Sequence, residues 1–413
     1  MSQLSMPSAW VGDPVAAPGS VVRSFTFKLS PTRSQVVASD RLLWVQRELY
    51  NAALEERREA WRRGVRRSRV DQFKELTSAM AELPRLAEFG LQMSRGTLWR
   101  LDRAFAGFFR RVKAGQAPGF PRFQSRGRFD SVSWPEPVTR KLLSGSGRMG
   151  RLRITGIGGV KVRVHRPLAG EPRTLTVRRC AGAWWATIVC RAVPARLLEP
   201  TGRQVGVDRG VEVLAATSDG RLVTNPRHLI AAAARLTAAQ QALSRTCRRP
   251  VSGRRRRARA EVARLHARVA RQRKDTLHKL SRVLVNSYDL IALEDLRIPN
   301  MTRSAAGTAG LPGTNVAAKA GLNRSILDAG WGILANMIAY KAAEAGRRVA
   351  LVDPRHTSAS CSGCGHVHPE DRVTRGRWRC CACGLDVHAD INAARNILHR
   401  AGSARDEAGQ PAA

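Results

Sequence analysis

The sequence predicts an α/β protein of several domains. Its 413 residues exceed the usual size of one domain, and 43% of them are hydrophobic, which is enough for more than one core. Apolar residues recur at helical spacing in one part of the chain, alternate with polar residues in another, and then form strands and helices in turn. We therefore expect an antiparallel β domain interrupted by helices, followed by a domain of mixed strands and helices.

The amino-terminal half predicts the β domain. A strand-like run at Val21–Lys28 is followed by apolar residues at helical spacing, which predict helices over Ser34–Arg63 and about Val70–Val112. Between Ser131 and Arg196 apolar and polar residues alternate in four runs, which is typical of half-buried antiparallel strands. The pattern indicates a small barrel or sandwich that a helical insertion interrupts early.

A polar segment with proline and glycine, Glu199–Arg203, separates this domain from a second one. There a strand at Gln204–Asp208 precedes a hairpin through the turn Ser218–Gly220, and a long basic stretch predicts two helices separated near Pro250. The remaining predicted elements are a strand at Leu290–Leu293, a loop over Asn300–Gly321, a helix over Asn323–Ala345 and a strand at Val349–Val352. This order of strands and helices is typical of an RNase H-like fold.

Both ends of the sequence lack hydrophobic periodicity. Residues 1–20 and 402–413 are rich in small and polar residues with interspersed proline and glycine. Such segments bury too little apolar surface to offset the entropy of ordering them. We therefore expect disorder at both ends.

The chain is strongly basic. Lys and Arg number 71 against 32 Asp and Glu, a formal net charge of +39, and a compact protein with this self-repulsion calls for a polyanionic partner such as nucleic acid. Only nine of the basic residues are lysine, and arginine suits phosphate and base contacts. A GC-rich genome accounts equally well for arginine over lysine, but not for the net charge. The densest run, expected to bind backbone phosphate unless it is only a solvated helix face, is Arg254, Arg255, Arg256 and Arg257.

The sequence shows no sign of a membrane partner. No window approaches the ~18 consecutive apolar residues of a membrane span, and Met1–Ser20 lacks the charged-then-apolar order of a signal peptide. We therefore expect a cytoplasmic protein. Disulfides are rare in that compartment, so the eight cysteines, five of which lie between Cys361 and Cys383, indicate metal binding.

Four of these cysteines have the spacing of a zinc ribbon. The pairs Cys361–Cys364 and Cys380–Cys383 are both CxxC, and fifteen residues separate them. Two such pairs supply four thiolates for one structural Zn²⁺, and this is the most specific pattern in the chain. Cys381 is left as a free thiol, or as a replacement for Cys380. The isolated cysteines, expected to be buried as small hydrophobic residues, are Cys180, Cys190 and Cys247.

Three acidic residues stand where the end of a strand or helix can aim them inward. Asp208 ends an apolar strand, Glu294 follows the apolar run Leu290–Leu293, and Asp390 opens a predicted helix. Mg²⁺ prefers oxygen ligands, and two such ions about 3.5 to 4 Å apart can stabilise the attacking and leaving oxygens of a phosphodiester. A single acid at a strand end is more often a cap or a surface charge. Three in a strongly basic chain predict a two-metal catalytic site.

Three histidines near the cysteines allow a second interpretation. His366 and His368 form the His-hydrophobic-His pattern of single-strand nucleases that use a tyrosine nucleophile, but they lie inside the ribbon loop rather than on a strand facing a tyrosine helix. His388, two residues before Asp390, is the better candidate for contacting the metal site or substrate. A histidine at a helix start is also often structural.

The chain resembles the TnpB family, the OrfB-type proteins of bacterial insertion sequences and presumed ancestors of type V CRISPR effectors. The resemblance covers roughly residues 21–400 and is carried by four segments, Gly206–Gly210, Ile291–Leu296, Thr357–Gly365 and Asp390–Ile397. Two departures stand out. Arg209 occupies a position where leucine is commoner, and His388-Ala389 replaces an Asp-Arg pair found in many relatives. Neither removes a carboxylate.

The resemblance implies an RNA-guided endonuclease that cuts double-stranded target DNA beside a short flanking motif. Its cofactors would be two Mg²⁺ or Mn²⁺ ions at Asp208, Glu294 and Asp390, and one structural Zn²⁺; its partners would be a guide RNA and the target DNA. The implied domains are a wedge barrel over residues 21–200 with a helical recognition insertion at about 33–115, a RuvC-like nuclease domain over 201–360 and 385–401, and a zinc ribbon over 361–384.

Three other functions fit parts of the sequence. A nuclease-inactive RNA-guided regulator would have lost a carboxylate, and all three are present. A strand-transfer transposase usually has glutamate as its third carboxylate and no ribbon before it, unlike the surroundings of Asp390. A miniature type V CRISPR effector differs in its genomic neighbourhood, which the sequence does not contain.

Overall fold

The structure is a computed structural model that describes residues 19–135, 143–144, 148–246, 252–308 and 310–409. Three predictions fall on positions outside these ranges: the disorder of residues 1–18 and 410–413, the burial of Cys247 and the helix break at Pro250. The chain divides into two compact units, Met1–Pro194 and Ala195–Ala413. Among the described residues, no helix combines the length and apolar character that a membrane span needs.

The first unit contains the predicted helical insertion. Its first helix begins at a capping box in which Thr32 and Gln35 satisfy each other's backbone amides. The helical region predicted over about Val70–Val112 is present as three helices, because Pro84 lacks an amide proton and Gly90, with φ +82°, interrupts the helical backbone. The helices are α1 (Arg33–Arg62), α2 (Arg69–Glu82), α3 (Pro84–Ala87) and α4 (Leu91–Lys113).

An antiparallel sheet of seven strands makes up the rest of the first unit. The strands are β1 (Ser20–Ser30), β2 (Ser131–Trp134), β3 (Leu143–Ser144), β4 (Met149–Ile154), β5 (Gly158–Arg163), β6 (Glu171–Cys180) and β7 (Ala183–Pro194), in the order β2-β6-β7-β1-β5-β4-β3. Alternate residues such as Phe25, Phe27 and Leu29 are buried, as the alternation of the sequence predicts. They share one hydrophobic core with helix residues such as Leu54 and Leu101. Cys190 is buried, as predicted, but the predicted burial of Cys180 is wrong, because this residue ends β6 beside the turn at Ala181 and Gly182.

The second unit is built on a mixed sheet of five strands. The strands are β8 (Gln204–Asp208), β9 (Val213–Thr217), β10 (Leu222–Thr224), β11 (Leu290–Glu294) and β12 (Arg348–Val352), in the order β10-β9-β8-β11-β12. The first three strands form an antiparallel meander, whereas β11 pairs in parallel with both β8 and β12. A separate hairpin, β13 (Arg377–Arg379) and β14 (Asp386–His388), lies in the cysteine-rich segment.

Seven helices are described in the second unit. The helix predicted over Asn323–Ala345 is two helices, because Gly330 adopts the left-handed conformation (φ +72°), and the predicted loop over Asn300–Gly321 ends early at Val316. The disorder predicted from residue 402 is also wrong in part, since the last helix continues to Gly409. The helices are α5 (His228–Ala231), α6 (Ala233–Ser244), α7 (Gly253–Ser287), α8 (Ile298–Met301), α9 (Val316–Ala329), α10 (Trp331–Ala345) and α11 (Ala389–Gly409).

Candidate active site and cysteine cluster

Asp208 and Glu294 lie side by side at the ends of neighbouring parallel strands. Val207 on β8 pairs with Leu293 on β11, so the next residue on each strand is one of the two acids. The strands themselves are buried on both faces, and Val207 and Leu293 have no exposed surface. Parallel pairing therefore places the two carboxylates together at the carboxyl edge of the sheet, where ligands of α/β sheets commonly bind.

Asp390 reaches the same region from the start of α11, because this helix packs unusually close to β8. A Cβ atom on Gly206 would lie 2.0 Å from the carbonyl oxygen of Ala394 and 2.8 Å from the amide nitrogen of Leu398. Only glycine permits this approach of strand and helix backbones. Gly206, two residues before Asp208, thus allows the third carboxylate to approach the first.

The three carboxylates interact electrostatically. Burial, followed by the negative charges of Glu294 and Asp390, raises the pKa of Asp208 from 3.8 to about 7. Burial also raises the pKa of Asp390, against the lowering influence of His388 and Arg372. Half-buried acids of like charge are costly without a cation, and perturbed acids of this kind are concentrated at functional sites.

Replacing Asp208 with asparagine is expected to stabilise the metal-free protein at high pH. The carboxyl ionises at about pH 4 in the unfolded chain but at about 7 in the folded one, so the cost of its buried charge grows between these values and is complete above the second. At about 1.4 kcal/mol per pKa unit, this cost is on the order of 4 kcal/mol. In EDTA at about pH 8 the variant should melt several degrees above wild type, and the gap should shrink towards pH 5. Equal melting temperatures at the higher pH, or an equal gain from the exposed control Asp295→Asn, would contradict this.

Two residues without a predicted role support Glu294. The hydroxyl of Thr357, which is buried, donates to Glu294 Oε1 at 2.6 Å. The guanidinium of Arg209, also buried, donates to the carbonyl oxygens of Glu294 and Trp331. Its charge lowers the pKa of Asp208, in opposition to the burial that raises it. Arg209, the residue that departs from the family pattern, therefore contacts the backbone of Glu294 and acts on the charge of Asp208.

The three carboxylates do not converge on a single point. In the described ranges, groups of three or more potential ligand atoms within 4.8 Å of one another occur only in the cysteine-rich segment. A pair of ions 3.5 to 4 Å apart accepts a wider spacing of ligands than one ion does.

His388, the predicted candidate for contacting the metal site or substrate, has a structural contact. Its Nδ1 accepts the amide proton of Asp390 at 3.2 Å and thereby caps the start of α11.

The four predicted cysteines meet in one cluster. Cys361 Sγ lies 3.6 Å from Cys383 Sγ, Cys364 Sγ lies 3.7 Å from Cys380 Sγ, and all four sulfurs are within 4.8 Å of one another. Sulfurs held tetrahedrally by Zn–S bonds of about 2.3 Å would be roughly 3.8 Å apart. The cluster therefore has the dimensions of a four-thiolate site for a metal such as zinc.

The two halves of this cluster have the same backbone design. After each CxxC pair a glycine adopts a positive φ, +77° at Gly365 and +72° at Gly384. Each glycine donates to the carbonyl of the first cysteine of its pair, Cys361 (2.9 Å) or Cys380 (3.0 Å). The Gly363 amide also points at Cys361 Sγ (3.4 Å), and such bonds favour thiolate. The two turns thus present all four sulfurs to the same point.

Two asparagines of α11 attach the cysteine-rich segment to the helix that carries Asp390. Asn392 accepts the Ser362 amide (2.8 Å) and donates to the Ser360 carbonyl (2.7 Å), while Asn396 donates to the carbonyls of Thr357 and Ser360. Their spacing of four places both on one helix face. Asparagine is a poor helix former, so two asparagines four residues apart in a helix were the feature of the sequence that could have indicated this contact.

The arginine run lies at the first turns of α7. Arg254, Arg256 and Arg257 are exposed, whereas Arg255 is half-buried and donates to the Thr246 carbonyl at 3.3 Å. The first turn contains no acidic residue. Positive charge at a helix start opposes the helix dipole, so the run does not stabilise α7. An external anion would account for it.

Comparison with known proteins identifies the family. Residues 188–305 match a family model described as a probable transposase, and residues 331–397 match one described as the Cas12f1-like TNB domain. The chain is 33% identical to the Escherichia coli protein named "Putative RNA-guided DNA endonuclease InsQ", over 91% of this chain and 92% of that one. A Streptomyces pristinaespiralis protein with the same name, without the suffix, is 34% identical over 92% of this chain and 89% of its own.

Solved structures of small CRISPR effectors resemble the chain more distantly. A mini-RNA-guided endonuclease, CRISPR-Cas phi3, aligns over 93% of this chain and 92% of its own, with 11% identity and a TM-score of 0.45. The family matches and the near-complete sequence alignments with bacterial relatives agree with each other. The chain belongs to the family of TnpB-type RNA-guided DNA endonucleases, which is associated with transposons.

Proposed function

We propose that this protein is an RNA-guided, metal-dependent DNA endonuclease that cuts beside a short flanking motif. The observation that carries the proposal is the arrangement of Asp208 and Glu294 on paired strand ends, with Asp390 brought near by the close packing at Gly206. Half-buried acids whose charges repel each other destabilise the fold and are suited to binding cations. Family membership supplies the substrate class.

Asp208, Glu294 and Asp390 would hold two Mg²⁺ or Mn²⁺ ions. Their oxygen ligands, burial and mutual repulsion fit hard divalent cations, and Thr357 would keep the Glu294 carboxylate oriented. When bound, the ion pair activates water and stabilises the leaving oxygen of the phosphodiester. Zn²⁺ at Cys361, Cys364, Cys380 and Cys383 would serve structure, since all four positions of a tetrahedron are occupied by protein sulfur.

Each part of the fold has a proposed domain identity within a TnpB-type endonuclease. The five-stranded sheet, with its antiparallel meander and two further parallel strands, would be a RuvC-like nuclease domain with the cysteine cluster inserted before α11. The antiparallel sheet of the first unit would be the wedge barrel, and α1–α4 its recognition insertion. Guide RNA and target DNA would neutralise the charge of +39.

The arginine run is expected to bind phosphate without reading sequence. A variant with glutamine at Arg254, Arg256 and Arg257 should lose up to three phosphate contacts, so the slope of log K against log salt should become shallower by about 2 to 3. Binding should weaken equally for different sequences. The measurement is a salt titration of DNA or RNA affinity.

A control for this variant must remove the same charge elsewhere. Glutamine at three arginines that already form ion pairs with glutamates makes the same change in net charge, and this control should leave the slope nearly unchanged. The paired arginines are Arg62, Arg67 and Arg264. An unchanged slope in the Arg254 variant, or an equal change in the control, would show that the run is a solvated helix face.

The proposed function is tested with the RNA that copurifies with the chain. Its sequence identifies the guide, which is then reprogrammed to a plasmid target that adjoins a randomised flank, with Mg²⁺ or Mn²⁺ present. We expect cleavage of matched plasmids that carry one flanking motif, and none with a mismatched guide. Matched binding without cleavage would establish a nuclease-inactive regulator instead, and absence of both RNA and guided binding would overturn the proposal.

A further inference from the structure

The ribbon contains a second group of potential metal ligands beside the four cysteines. His366 Nε2, a carboxylate oxygen of Asp371 and Cys381 Sγ lie within 4.8 Å of one another, and the sulfur is 3.3 Å from the ring nitrogen. Within the described part of the chain, this group and the four-cysteine cluster are the two that meet this distance. Cys381, which the sequence leaves as a spare thiol, thus has specific neighbours.

A buried carboxylate oxygen supplies independent evidence for a ligand. Asp371 has no exposed surface, and its Oδ1 accepts the amide proton of Cys381 at 2.9 Å. Its Oδ2 is buried without a hydrogen-bond partner. Leaving a charged oxygen buried and unpaired costs more than the roughly 1 to 3 kcal/mol of a neutral group. A cation in contact with this oxygen would remove that cost.

We propose that His366, Asp371 and Cys381 form a second metal site, for a borderline divalent ion such as Zn²⁺. One sulfur, one nitrogen and one oxygen are ligands that Zn²⁺ and Co²⁺ accept together, in contrast to the all-oxygen sites of Mg²⁺. Three protein ligands leave one position of a tetrahedron for water. Binding would convert the Cys381 thiol to thiolate and release its proton to solvent.

This site is separate from the four-cysteine cluster, although the two share a backbone. Cys381 directly follows Cys380, but Cys380 is buried with the cluster whereas Cys381 is exposed. The four clustered sulfurs already match a complete tetrahedron, so Cys381 is not needed there. An ion at the second site would join the short turn Pro369–Asp371 to the second CxxC pair. Its exposure and open position predict weaker, exchangeable binding.

The alternative without a metal is a local hydrogen-bond cluster. The Cys381 thiol is in reach of both His366 and the Asp371 carboxylate. A His366 ring that carries its proton on Nε2 can donate to the sulfur while the thiol donates to the carboxylate, so these two contacts need no ion. Asp371 Oδ2 has no hydrogen-bond partner in this arrangement. This alternative predicts no uptake of metal beyond the four-cysteine cluster, so metal binding separates the two.

The test is a Co²⁺ titration of protein whose four-cysteine cluster already holds one equivalent of Zn²⁺. We expect a second equivalent to bind, with a thiolate-to-cobalt absorption band of the strength of one sulfur. The variants Cys381→Ser, Asp371→Asn and His366→Gln should each bind it at least about tenfold more weakly, a loss of about 1.4 kcal/mol or more. The control is His368→Gln. In wild type the His368 ring stacks on His366 with centroids 6.0 Å apart, but His368 is not one of the three proposed ligands.

Retention of one equivalent of Zn²⁺ by each variant shows that the ribbon is still folded. If Cys381→Ser alone disturbs the four-cysteine cluster, the test depends on the Asp371→Asn and His366→Gln variants. The proposal is overturned if wild type takes up no second equivalent at saturating Co²⁺, or if a folded Cys381→Ser binds it with unchanged affinity. Loss of the second ion in His368→Gln to the same degree would also count against the assignment.

Discussion

A single alanine substitution at Asp208, at Glu294 or at Asp390 should reduce guided DNA cleavage by at least about 1,000-fold, while target binding remains near wild type. In the proposed site each carboxylate would offset part of the charge of the ion pair and fix its geometry, and this would contribute several kcal/mol to the transition state. Binding depends on many basic residues instead, and the loss of one negative charge near phosphate can strengthen it slightly. Plasmid cleavage and target binding are measured on the same preparations.

The matched control for these variants is Asp295→Ala. Asp295 follows Glu294 in the chain but is exposed, and it carries no proposed metal. It should cut at close to the wild-type rate. A single alanine variant of the three acids that also cuts at the wild-type rate would remove that residue from the proposed ligands, whereas loss of target binding would indicate misfolding rather than lost chemistry.

Cys361→Ser should remove the proposed structural zinc and unfold the cysteine-rich segment. Apparent zinc-binding free energies of about 10 to 16 kcal/mol in small zinc domains are largely folding free energy, so one missing thiolate has a large effect. The loss should spread to the active site, because Asn392 and Asn396 hold this segment and Thr357 holds Glu294. After dialysis against metal-free buffer we expect one Zn²⁺ per wild-type chain and well below one in the variant.

Hydrogen exchange locates this unfolding. Amides of the ribbon, such as those of Cys361 and Cys380, should lose protection in the variant, while the first unit keeps its own. Cys180→Ser, an exposed cysteine of the first unit, is the control and should change neither zinc content nor protection. A stable Cys361→Ser protein with a full equivalent of zinc would refute the assignment.

Local patterns in the sequence were enough to place the acids and the cysteines. Asp208 and Glu294 end apolar strands, and a strand end is recognised by the change from apolar to polar residues alone. The clustering of Cys361, Cys364, Cys380 and Cys383 was predicted equally well, because a CxxC turn specifies its own sulfur geometry over a few residues. Such features need no knowledge of distant segments.

Helix boundaries were predicted less well. The break at Gly330 and the continuation of α11 to Gly409 both differ from the prediction. Apolar spacing continues across a single left-handed glycine, so periodicity does not detect a change of axis there.

The sequence by itself determined which carboxylates and cysteines are candidate metal ligands and which elements carry them. Only the tertiary structure decided which of them meet: the register that puts Glu294 beside Asp208, the contact of Gly206 with α11, and the grouping of His366 and Asp371 with Cys381. Spacing along the chain reports interactions within a turn or a strand. Contacts between distant segments depend instead on how whole elements pack, and this is set by buried surface summed over many residues.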